Sequence, residues 1–383
     1  MKICIVTGSR AEFFILKNLI KKLNKSKFFK DHVVITGSHL SKDFGNNLNQ
    51  ISSSKINVVR KLNLKINNDN ESDISQYFSL GVKLFSNTLN KIKPDLLMIL
   101  GDRYEIYAAA VAACFNRVPI AHIHGGERTE GVIDEALRHS ITKLSHIHFV
   151  STKEYYNRVR QLGENKNYIC NIGSLGVESL NNFKFLSRNQ IEKKLKLKFR
   201  KKNILITYHS ETLKSRSQNK KNIITILNSL KKMKNTTLIF TMPGADSNFK
   251  AIISEIKKFS KKNKNSFLFK SLGDELYFSI CNQVDFMMGN SSSGIIEMPS
   301  YKKGTINIGN RQNGRVKAKS VIDIDCNEKK IKSKINFLYS KKFNQNLKKI
   351  KNPYDGGKSS DKIIKFLKKV NLEDILNKKF IDY

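Results

Sequence analysis

Short apolar runs, each followed by a polar turn, recur along the first half of the chain. Lys2–Thr7 is one such run, and after the turn Gly8-Ser9-Arg10 apolar residues return at helical spacing from Ile15 to Leu23. A run of this length predicts a buried strand, and the spacing that follows predicts an amphipathic helix. Strand, glycine turn and helix in this order predict the start of a doubly wound α/β domain.

The same pattern continues to residue 150. It predicts an edge strand near Ile56–Leu62 within an otherwise polar and irregular stretch, residues 41–75. The other predicted strands are His32–Thr36, Leu96–Leu100, Pro119–Ile123 and Ile147–Val150, and the predicted helices are Gln76–Ile92, Glu105–Phe115 and Asp134–Leu144. Four strands end in polar turns with the sequences GSR, GSH, GDR and HGGE. Because the carboxyl ends of parallel strands line the ligand crevice of such a sheet, we expect the functional site there.

The second half of the chain repeats this arrangement. Its predicted strands are Asn203–Thr207, Thr237–Thr241, Phe267–Phe269, Val284–Met288 and Thr305–Ile308, and a helix is predicted over Lys358–Val370. The lysine-rich segment Phe183–Lys202 separates the two halves. We therefore predict an α/β protein with two Rossmann-like domains facing each other across a cleft, over residues 1–185 and 186–357. Residues 358–383 would form a C-terminal helix that packs back toward the first domain.

The formal net charge of +38 would suit a nucleic-acid-binding protein. However, only 13 of the 70 basic residues are arginine, and the lysines are interleaved with asparagine and isoleucine throughout. This distribution is typical of a compositional bias toward lysine, whereas a nucleic-acid surface would concentrate arginine and aromatic residues. We therefore predict no nucleic-acid partner, although a positive field would favour the arrival of an anionic substrate.

Five scattered cysteines without paired spacing indicate a reducing compartment, and neither a disulfide framework nor a zinc site. No apolar run reaches the roughly 18–20 residues of a membrane span. The apolar run at the start of the sequence is too short for a signal peptide. The sequence therefore predicts a cytoplasmic protein with no membrane partner.

Arginine is scarce in this chain, yet Arg10, Arg103 and Arg311 directly follow predicted strands. Guanidinium groups at crevice positions favour the binding of an anion. The turn Gly289–Gly294 lies between a predicted strand and a helix, and its N–H groups and hydroxyls would suit a diphosphate. A simple N-capped turn is the alternative interpretation of this segment.

Histidines and carboxylates are concentrated after two neighbouring predicted strands. This group comprises Asp102, His122, His124, Glu127, Asp134, Glu135 and His139. His122 and His124 would share one face of a strand, a spacing that can bind a metal. No cysteine lies nearby in the sequence to complete a typical structural zinc site, so we favour acid–base chemistry over a metal. Asp134 and Glu135 could also serve only to stabilise the start of their helix through its dipole.

Six motifs, in their order along the chain, resemble the hydrolysing UDP-N-acetylglucosamine 2-epimerases, bacterial enzymes of sialic-acid biosynthesis. They are GSRAE (Gly8–Glu12), GDRYE (Gly101–Glu105), HIHGGE (His122–Glu127), DEALRHSITK (Asp134–Lys143), GNSSSGIIE (Gly289–Glu297) and NIGNRQNGR (Asn307–Arg315). The resemblance implies two Rossmann-like domains in the glycosyltransferase-B arrangement and a homo-oligomer, either dimer or tetramer. It also implies that UDP-N-acetylglucosamine and water are converted to N-acetylmannosamine and UDP, without a metal or another cofactor.

The resemblance also implies roles for individual residues. The UDP part of the nucleotide-sugar substrate would be bound by Arg10, Arg103, His209, Ser291, Ser292, Glu297 and Arg311. The catalytic residues around the sugar would be Asp102, Glu127, Asp134 and Arg138, with His39, His124 and His139 nearby. The first domain would thus carry the sugar chemistry and the second would bind the nucleotide. The non-hydrolysing sister family has glutamate where His124 stands, which favours the hydrolysing branch.

Two alternatives remain open at the level of sequence. The first is the same reaction on GDP-N-acetylglucosamine or on a UDP- or GDP-linked diacetamido sugar of the legionaminic-acid pathway, because the motifs contact the diphosphate and C2 rather than C4 or C6. The second, more remote, is a transferase of the glycosyltransferase-B type. In the expected epimerase mechanism, loss of the diphosphate acidifies the C2 proton. Asp102 or Asp134 then removes that proton to give a glycal, which is rehydrated.

Overall fold

The chain folds into two compact units. The structure, a computed structural model, describes residues 1–40, 51, 56–64, 71–181, 183–244 and 246–383. The first unit comprises Met1–Glu127, Ile133–Ser179 and Tyr354–Tyr383, and the second comprises Arg128–Val132 and Leu180–Pro353. None of the helices in this described part of the chain is both long and apolar enough to cross a membrane.

A seven-stranded parallel sheet forms the centre of the first unit, in the order β3-β2-β1-β4-β5-β6-β7. Its strands are β1 (Lys2–Thr7), β2 (Lys30–Thr36), β3 (Val58–Leu62), β4 (Leu96–Leu100), β5 (Ile120–Ile123), β6 (Ile147–Val150) and β7 (Ile169–Asn171). The described helices up to residue 181 are α1 (Arg10–Asn24), α2 (Glu71–Ile92), α3 (Tyr104–Phe115), α4 (Asp134–Leu144), α5 (Lys153–Gln161) and α6 (Leu175–Asn181). Along β1, Ile3 and Ile5 face one buried cluster, and Cys4 and Val6 face another. Both faces of the sheet are therefore covered, which explains why the apolar runs are continuous rather than alternating.

The second unit is built in the same way around a six-stranded parallel sheet, in the order β10-β9-β8-β11-β12-β13. Its strands are β8 (Lys202–Thr207), β9 (Thr236–Thr241), β10 (Ser266–Phe269), β11 (Phe286–Gly289), β12 (Gly304–Ile308) and β13 (Val321–Ile324). The remaining helices of the chain are α7 (Arg188–Leu195), α8 (Arg216–Leu230), α9 (Phe249–Lys262), α10 (Gly273–Gln283), α11 (Ser293–Ile296), α12 (Glu328–Leu338), α13 (Lys341–Leu347) and α14 (Ser359–Leu367). Ile204 and Leu205 of β8 point into different buried clusters, so both faces of this sheet are also covered.

The last helix, α14, belongs to the first unit. Its residues Ile363 and Leu367 are fully buried in the same cluster as Leu16 of α1. At the edge of this contact, Lys22 Nζ lies 2.7 Å from Asp361 Oδ1. Burial of two whole aliphatic side chains contributes on the order of 3–6 kcal/mol, so this contact is a substantial part of the first core.

The structure confirms the fold class predicted from the sequence, two Rossmann-like α/β domains, and it changes the bounds of several elements. α2 begins at Glu71 rather than Gln76, because its first turn is polar and carries no apolar repeat. β11 begins at Phe286, because the Val284 N–H closes the preceding helix on the Ile280 carbonyl oxygen at 2.9 Å. The sequence pattern does not predict β7 and β13, which are short strands at sheet edges. Within the stretch expected to be irregular, residues 41–50, 52–55 and 65–70 lie outside the described residues.

Gly289 ends β11 at a point where that strand lies very close to β8. Its φ angle is +134°, and a Cβ atom at this position would overlap the Thr207 carbonyl oxygen. The next residue, Asn290, donates its N–H to that same oxygen at 3.1 Å. Only glycine therefore lets the two strands stay paired up to the turn that follows.

Gly289→Ala is expected to lower the free energy of unfolding by about 3 kcal/mol, because backbone strain and steric overlap act together. Gly357→Ala provides the control. Gly357 also has a positive φ, +72°, but a Cβ atom there would meet no described atom within 4 Å, so only about 1 kcal/mol of loss is expected. Urea unfolding measures both values, and equal losses would contradict the steric explanation.

Candidate active site

The turn after β1 is held by a buried carboxylate. Glu12 accepts hydrogen bonds from the Gly8 N–H at 2.8 Å and from the Ser9 hydroxyl at 2.9 Å. Ser9 in turn caps α1, because its hydroxyl oxygen accepts from the Glu12 N–H at 3.3 Å. This reciprocal pair is a variant of the capping box, and it fixes Arg10 as the first residue of the helix.

A second buried carboxylate, Glu105, fills the space beside Gly8. A Cβ atom at Gly8 would overlap the Glu105 side chain, and Arg103 donates from Nε to Glu105 Oε1 at 3.4 Å. Burial, and then the charge of Glu105, raise the pKa of Glu12 to about 8. The sequence interpretation assigns a role to neither glutamate. For Glu12 a signal was present, because Ser9-x-x-Glu12 before an apolar run is the pattern of a capping box.

His39 follows β2 and lies fully buried beside the same turn. Its Nε2 is 3.1 Å from the Thr7 hydroxyl, and its ring meets Phe13 edge-on. Burial, and then the charge of Arg10, lower the pKa of His39 to about 4, so the ring is neutral at pH 7. The structure thus places Arg10, His39 and Arg103, three residues predicted to lie in the site, at the carboxyl ends of the adjacent strands β1, β2 and β4.

Arg138 on α4 is the centre of the next group, although it is only 1% exposed. Its Nε donates to Asp102 Oδ2 at 2.7 Å, and its Nη2 donates to the same oxygen. Its Nη1 donates at 2.9 Å both to the Glu127 carbonyl oxygen and to Glu135 Oε2. One guanidinium group therefore links the end of β4, the turn after β5 and the first turn of α4.

Glu127 and His124 lie together in the turn after β5. Glu127 is 2% exposed, its Oε1 accepts from the Ser151 hydroxyl at 3.0 Å, and His124 Nδ1 is 3.6 Å from that oxygen. The expectation that His122 and His124 share one face of a strand is wrong. β5 ends at Ile123, and a φ of +68° takes His124 out of the alternation of the strand.

The helix α4 carries three further candidate residues, Asp134, Glu135 and His139. Asp134 and Glu135 form its first turn, where the helix dipole favours negative charge. Glu135 Oε1 lies 3.0 Å from His139 Nε2, while its other oxygen accepts from Arg138. Glu135 therefore connects residues at i+3 and i+4 on one face of the helix.

His122, His146 and His148 are held inside the fold by structural contacts. His122 Nε2 is 2.9 Å from the Gly101 carbonyl oxygen. His148 Nε2 is 2.9 Å from Glu164 Oε2, and Lys143 and Lys378 each place Nζ 2.7 Å from that carboxylate. Burial alone would raise the pKa of Glu164, but His148 and the two lysines lower it to about 2. This cluster anchors the C-terminal segment of the first unit.

In the second unit, His209 follows β8 and has a defined tautomer. Its Nδ1 accepts a hydrogen bond from the Gly244 N–H at 2.9 Å, so the neutral ring carries its proton on Nε2. Arg311, also predicted to bind phosphate, places Nη2 3.7 Å from Asp246 Oδ2 and donates from Nη1 to the Asn290 carbonyl oxygen at 3.4 Å. The sequence interpretation assigns a role to neither Asp246 nor Asn290.

The serine-rich turn before α11 is braced from two sides. The Tyr277 hydroxyl donates to Ser293 Oγ at 2.8 Å, and the Ser293 N–H donates to Ser291 Oγ at 3.4 Å. Ser292 immediately precedes α11, and Glu297, which is 9% exposed, immediately follows that helix. The three residues predicted from this motif, Ser291, Ser292 and Glu297, therefore lie around one short helix in the second unit.

Fold and site residues together define a class of protein. Both units are Rossmann-like, as in nucleotide-binding proteins of the glycosyltransferase-B type. At its strand ends the first unit collects carboxylates held by arginine, a combination suited to proton transfer. The second unit collects hydroxyl, imidazole and guanidinium donors, a combination suited to phosphate.

Comparison with known proteins gives the family. The sequence profile of the UDP-N-acetylglucosamine 2-epimerase family matches residues 21–368. The chain belongs to this family, which confirms the resemblance found in its motifs.

Three similar proteins illustrate the range of the family. A Campylobacter jejuni protein named GDP/UDP-N,N'-diacetylbacillosamine 2-epimerase (hydrolyzing) is 42% identical over 383 residues, covering 100% of this chain and 99% of that protein. An Escherichia coli protein named polysialic acid biosynthesis protein P7 is 37% identical, covering 92% of this chain and 90% of its own length. The crystal structure of UDP-GlcNAc 2-epimerase from Neisseria meningitidis bound to UDP-GlcNAc shares the fold, with a TM-score of 0.81, 21% identity, and coverage of 97% of this chain and 100% of that one.

The half-buried His146 is expected to make the protein less stable in mild acid. Burial, and then Lys378 and His148, lower the pKa of His146 from 6.5 to about 4. Between these values the unfolded chain binds more protons than the folded protein. The stabilisation is therefore complete above pH 6.5 and is lost as the pH falls toward 4.

His146→Asn is expected to make the free energy of unfolding less dependent on pH in this window. The amide oxygen can replace His146 Nδ1 as acceptor for the Ile120 N–H, a bond of 3.2 Å in the native protein. The slope should decrease by somewhat less than ~1.4 kcal/mol per pH unit, because the ring is partly exposed. Urea titrations at pH 4.5, 5.5 and 6.5, points chosen at roughly unit intervals, measure it. An unchanged slope would show that His146 does not contribute.

Proposed function

We propose that the protein is a hydrolysing 2-epimerase that converts a nucleoside-diphosphate-linked 2-acetamido sugar and water into the free 2-epimer and the nucleoside diphosphate. Membership of the family supports the epimerase class. The strongest structural support for the proposal is the hydrogen-bond network around Arg138. This buried guanidinium orients Asp102 and Glu135 and holds the backbone of Glu127, at the ends of neighbouring strands.

The reaction needs the diphosphate to leave first. The C2 proton of an acetamido sugar is not acidic, so a carboxylate alone removes it slowly. When the C1–O bond breaks, its electron pair goes to the diphosphate and positive character develops at C1, which acidifies C2. His209, with its proton on Nε2, and Arg311 would stabilise the departing diphosphate in the second unit.

Proton transfer at C2 would follow in the first unit. A carboxylate, Asp102 or Asp134, accepts the C2 proton while the C1–C2 double bond of the glycal forms. A protonated group on the opposite face then donates a different proton to C2 while the oxygen of water bonds to C1, and the proton that this water loses passes to a basic side chain or to solvent. Glu127 and His124, 3.6 Å apart, are the pair that could supply the proton added to C2. The sum is inversion at C2 with hydrolysis at C1.

We propose a diacetamido sugar linked to UDP or GDP as the preferred substrate. The support is the Campylobacter jejuni protein, which is named for N,N'-diacetylbacillosamine linked to either nucleotide and is 42% identical over the full length of this chain. UDP-N-acetylglucosamine is the second candidate. It is supported by the Neisseria meningitidis enzyme, whose structure with UDP-GlcNAc shares this fold.

A substrate panel tests the reaction and the sugar together. Purified protein is incubated in deuterated water with UDP- and GDP-linked N-acetylglucosamine and N,N'-diacetylbacillosamine, and the products are analysed by NMR. The proposal predicts a free 2-epimer carrying deuterium at C2, formed fastest from the diacetamido substrate. Turnover that requires an acceptor other than water would favour a glycosyltransferase instead. Faster turnover of UDP-N-acetylglucosamine than of the diacetamido substrates would show that UDP-N-acetylglucosamine is the preferred substrate.

Asp102→Asn is expected to lower kcat by about 10²–10⁴-fold, because the amide cannot accept the C2 proton and cannot form the charged pair with Arg138. Affinity for the nucleoside diphosphate should fall much less than kcat, because His209 and Arg311 are unchanged, although Arg103, also expected to contact the diphosphate, lies next to the substituted residue. Asp361→Asn is the control, because Asp361 makes an ion pair with Lys22 away from these strand ends. Steady-state kinetics and calorimetric titration with UDP measure both variants. A kcat for Asp102→Asn within threefold of the native value would exclude Asp102 as the base.

A further inference from the structure

Asn290 is a fully buried residue of the second unit to which no role has been assigned so far. It is the second residue of the motif GNSSSG and comes immediately after β11. Regular pairing of β11 with β8 ends at Gly289 and Thr207, with one more bond from the Asn290 N–H to the Thr207 carbonyl oxygen. Beyond this point the two chains diverge, and main-chain groups of the turn after β8 need other partners.

The side chain of Asn290 supplies those partners for His209. The His209 N–H donates to Asn290 Oδ1 at 2.7 Å, and Asn290 Nδ2 donates to the His209 carbonyl oxygen at 2.9 Å. A carboxamide carries one acceptor and a donor, as a peptide group does. Asn290 therefore extends the ladder of hydrogen bonds past the last paired residue and fixes the backbone of His209.

The main chain of Asn290 contacts Arg311, the second residue of this unit that is proposed to bind the diphosphate. Its carbonyl oxygen accepts from Gln312 Nε2 at 3.0 Å and from Arg311 Nη1 at 3.4 Å. The Arg311 guanidinium is held from a second direction by Asp246, at 3.7 Å. The imidazole of His209 is likewise held by the Gly244 N–H, at 2.9 Å.

We infer that Asn290 is a positioning residue, whose side chain fixes His209 and whose carbonyl oxygen orients Arg311 for a nucleoside diphosphate. The inference rests on the proposed function, which supplies the ligand. Asn290 itself is 0% exposed and does not reach that ligand. It acts only through the two residues that do.

The chain contains a matched control for this contact. Asn203 is also fully buried, and it pairs with Arg200 in the same way. The Arg200 N–H donates to Asn203 Oδ1 at 3.0 Å, and Asn203 Nδ2 donates to the Arg200 carbonyl oxygen at 2.9 Å. This pair lies at the amino end of β8, opposite to the end that carries His209. Asn203→Ala therefore removes the equivalent two side-chain hydrogen bonds without touching the proposed site, and the Arg200 N–H keeps a second acceptor, Thr237 Oγ1, at 2.9 Å.

The experiment compares Asn290→Ala with Asn203→Ala in the full-length protein. Thermal unfolding should show that both variants lose stability. Calorimetric titration with UDP and with GDP should show an affinity about tenfold or more weaker for Asn290→Ala, and an affinity within twofold of the native protein for Asn203→Ala. Histidine ring signals in ¹H–¹⁵N NMR spectra should shift for His209 only in Asn290→Ala. Asn290→Ser, which keeps one polar atom, provides the same comparison should the alanine variant not fold.

The outcomes separate this inference from the function on which it rests. Native protein that binds neither nucleotide would overturn the proposed function, and this inference with it. Native binding with an unchanged affinity in Asn290→Ala or Asn290→Ser would overturn the inference alone. So would an equal loss of affinity in Asn203→Ala, because the effect would then be a general consequence of destabilisation.

Discussion

Beyond the end of a strand in a parallel sheet, backbone N–H and C=O groups no longer have hydrogen-bond partners on the neighbouring strand. N–H and C=O groups in the turns beyond β1 and β8 are buried, and a buried polar group without a partner is costly. In each unit a polar side chain supplies the hydrogen bonds that the neighbouring strand no longer provides. Glu12 receives the Gly8 N–H, and Asn290 pairs with both main-chain groups of His209. The residues proposed to act on the substrate are placed by this requirement, since Arg10 and His209 lie in the turns that are satisfied in this way.

The two units meet the requirement with different chemistry. In the first unit the supports are ionisable, and Arg138 with Asp102 is the clearest case. Buried charges are tolerated only when paired, so their mutual geometry is tightly determined. In the second unit the turns are supported mainly by neutral groups, namely the Asn290 amide and the Tyr277 hydroxyl, although Arg311 has an acidic neighbour, Asp246, at 3.7 Å. Asn290 and Tyr277 therefore hold the turns that carry His209 and Ser293 through uncharged groups. The first unit thus concentrates paired charges suited to proton transfer, and the second concentrates hydrogen-bond donors suited to phosphate.

The sequence was sufficient for the fold and for the grouping of candidate residues at strand ends, because both depend on local signals. Apolar runs and the turns after them located the main strands, and parallel pairing brought their ends together. It was insufficient where contacts distant in the chain decide the outcome. The left-handed conformation of His124, which ends the strand alternation, is a backbone state that no periodicity reveals. The role of Asn290 depends on His209, and the two residues are paired only because β8 and β11 are neighbours. β13 (Val321–Ile324) is short and only partly buried, so it lacks the continuous apolar run that identified its neighbours.

The first unit is built from segments that lie before and after the second unit in the sequence, and this order affects folding during synthesis. Apart from Arg128–Val132, the second unit is one continuous segment, Leu180–Pro353, whereas the first needs Tyr354–Tyr383 to complete its core. Until Ile363 and Leu367 emerge from the ribosome, α1 lacks part of the apolar surface that covers it. The segments of the second unit are therefore all made before the first unit has received the last residues of its core, and that core keeps some apolar surface exposed until then. A stalled or truncated chain would be vulnerable at its amino-terminal half, far in sequence from the missing residues.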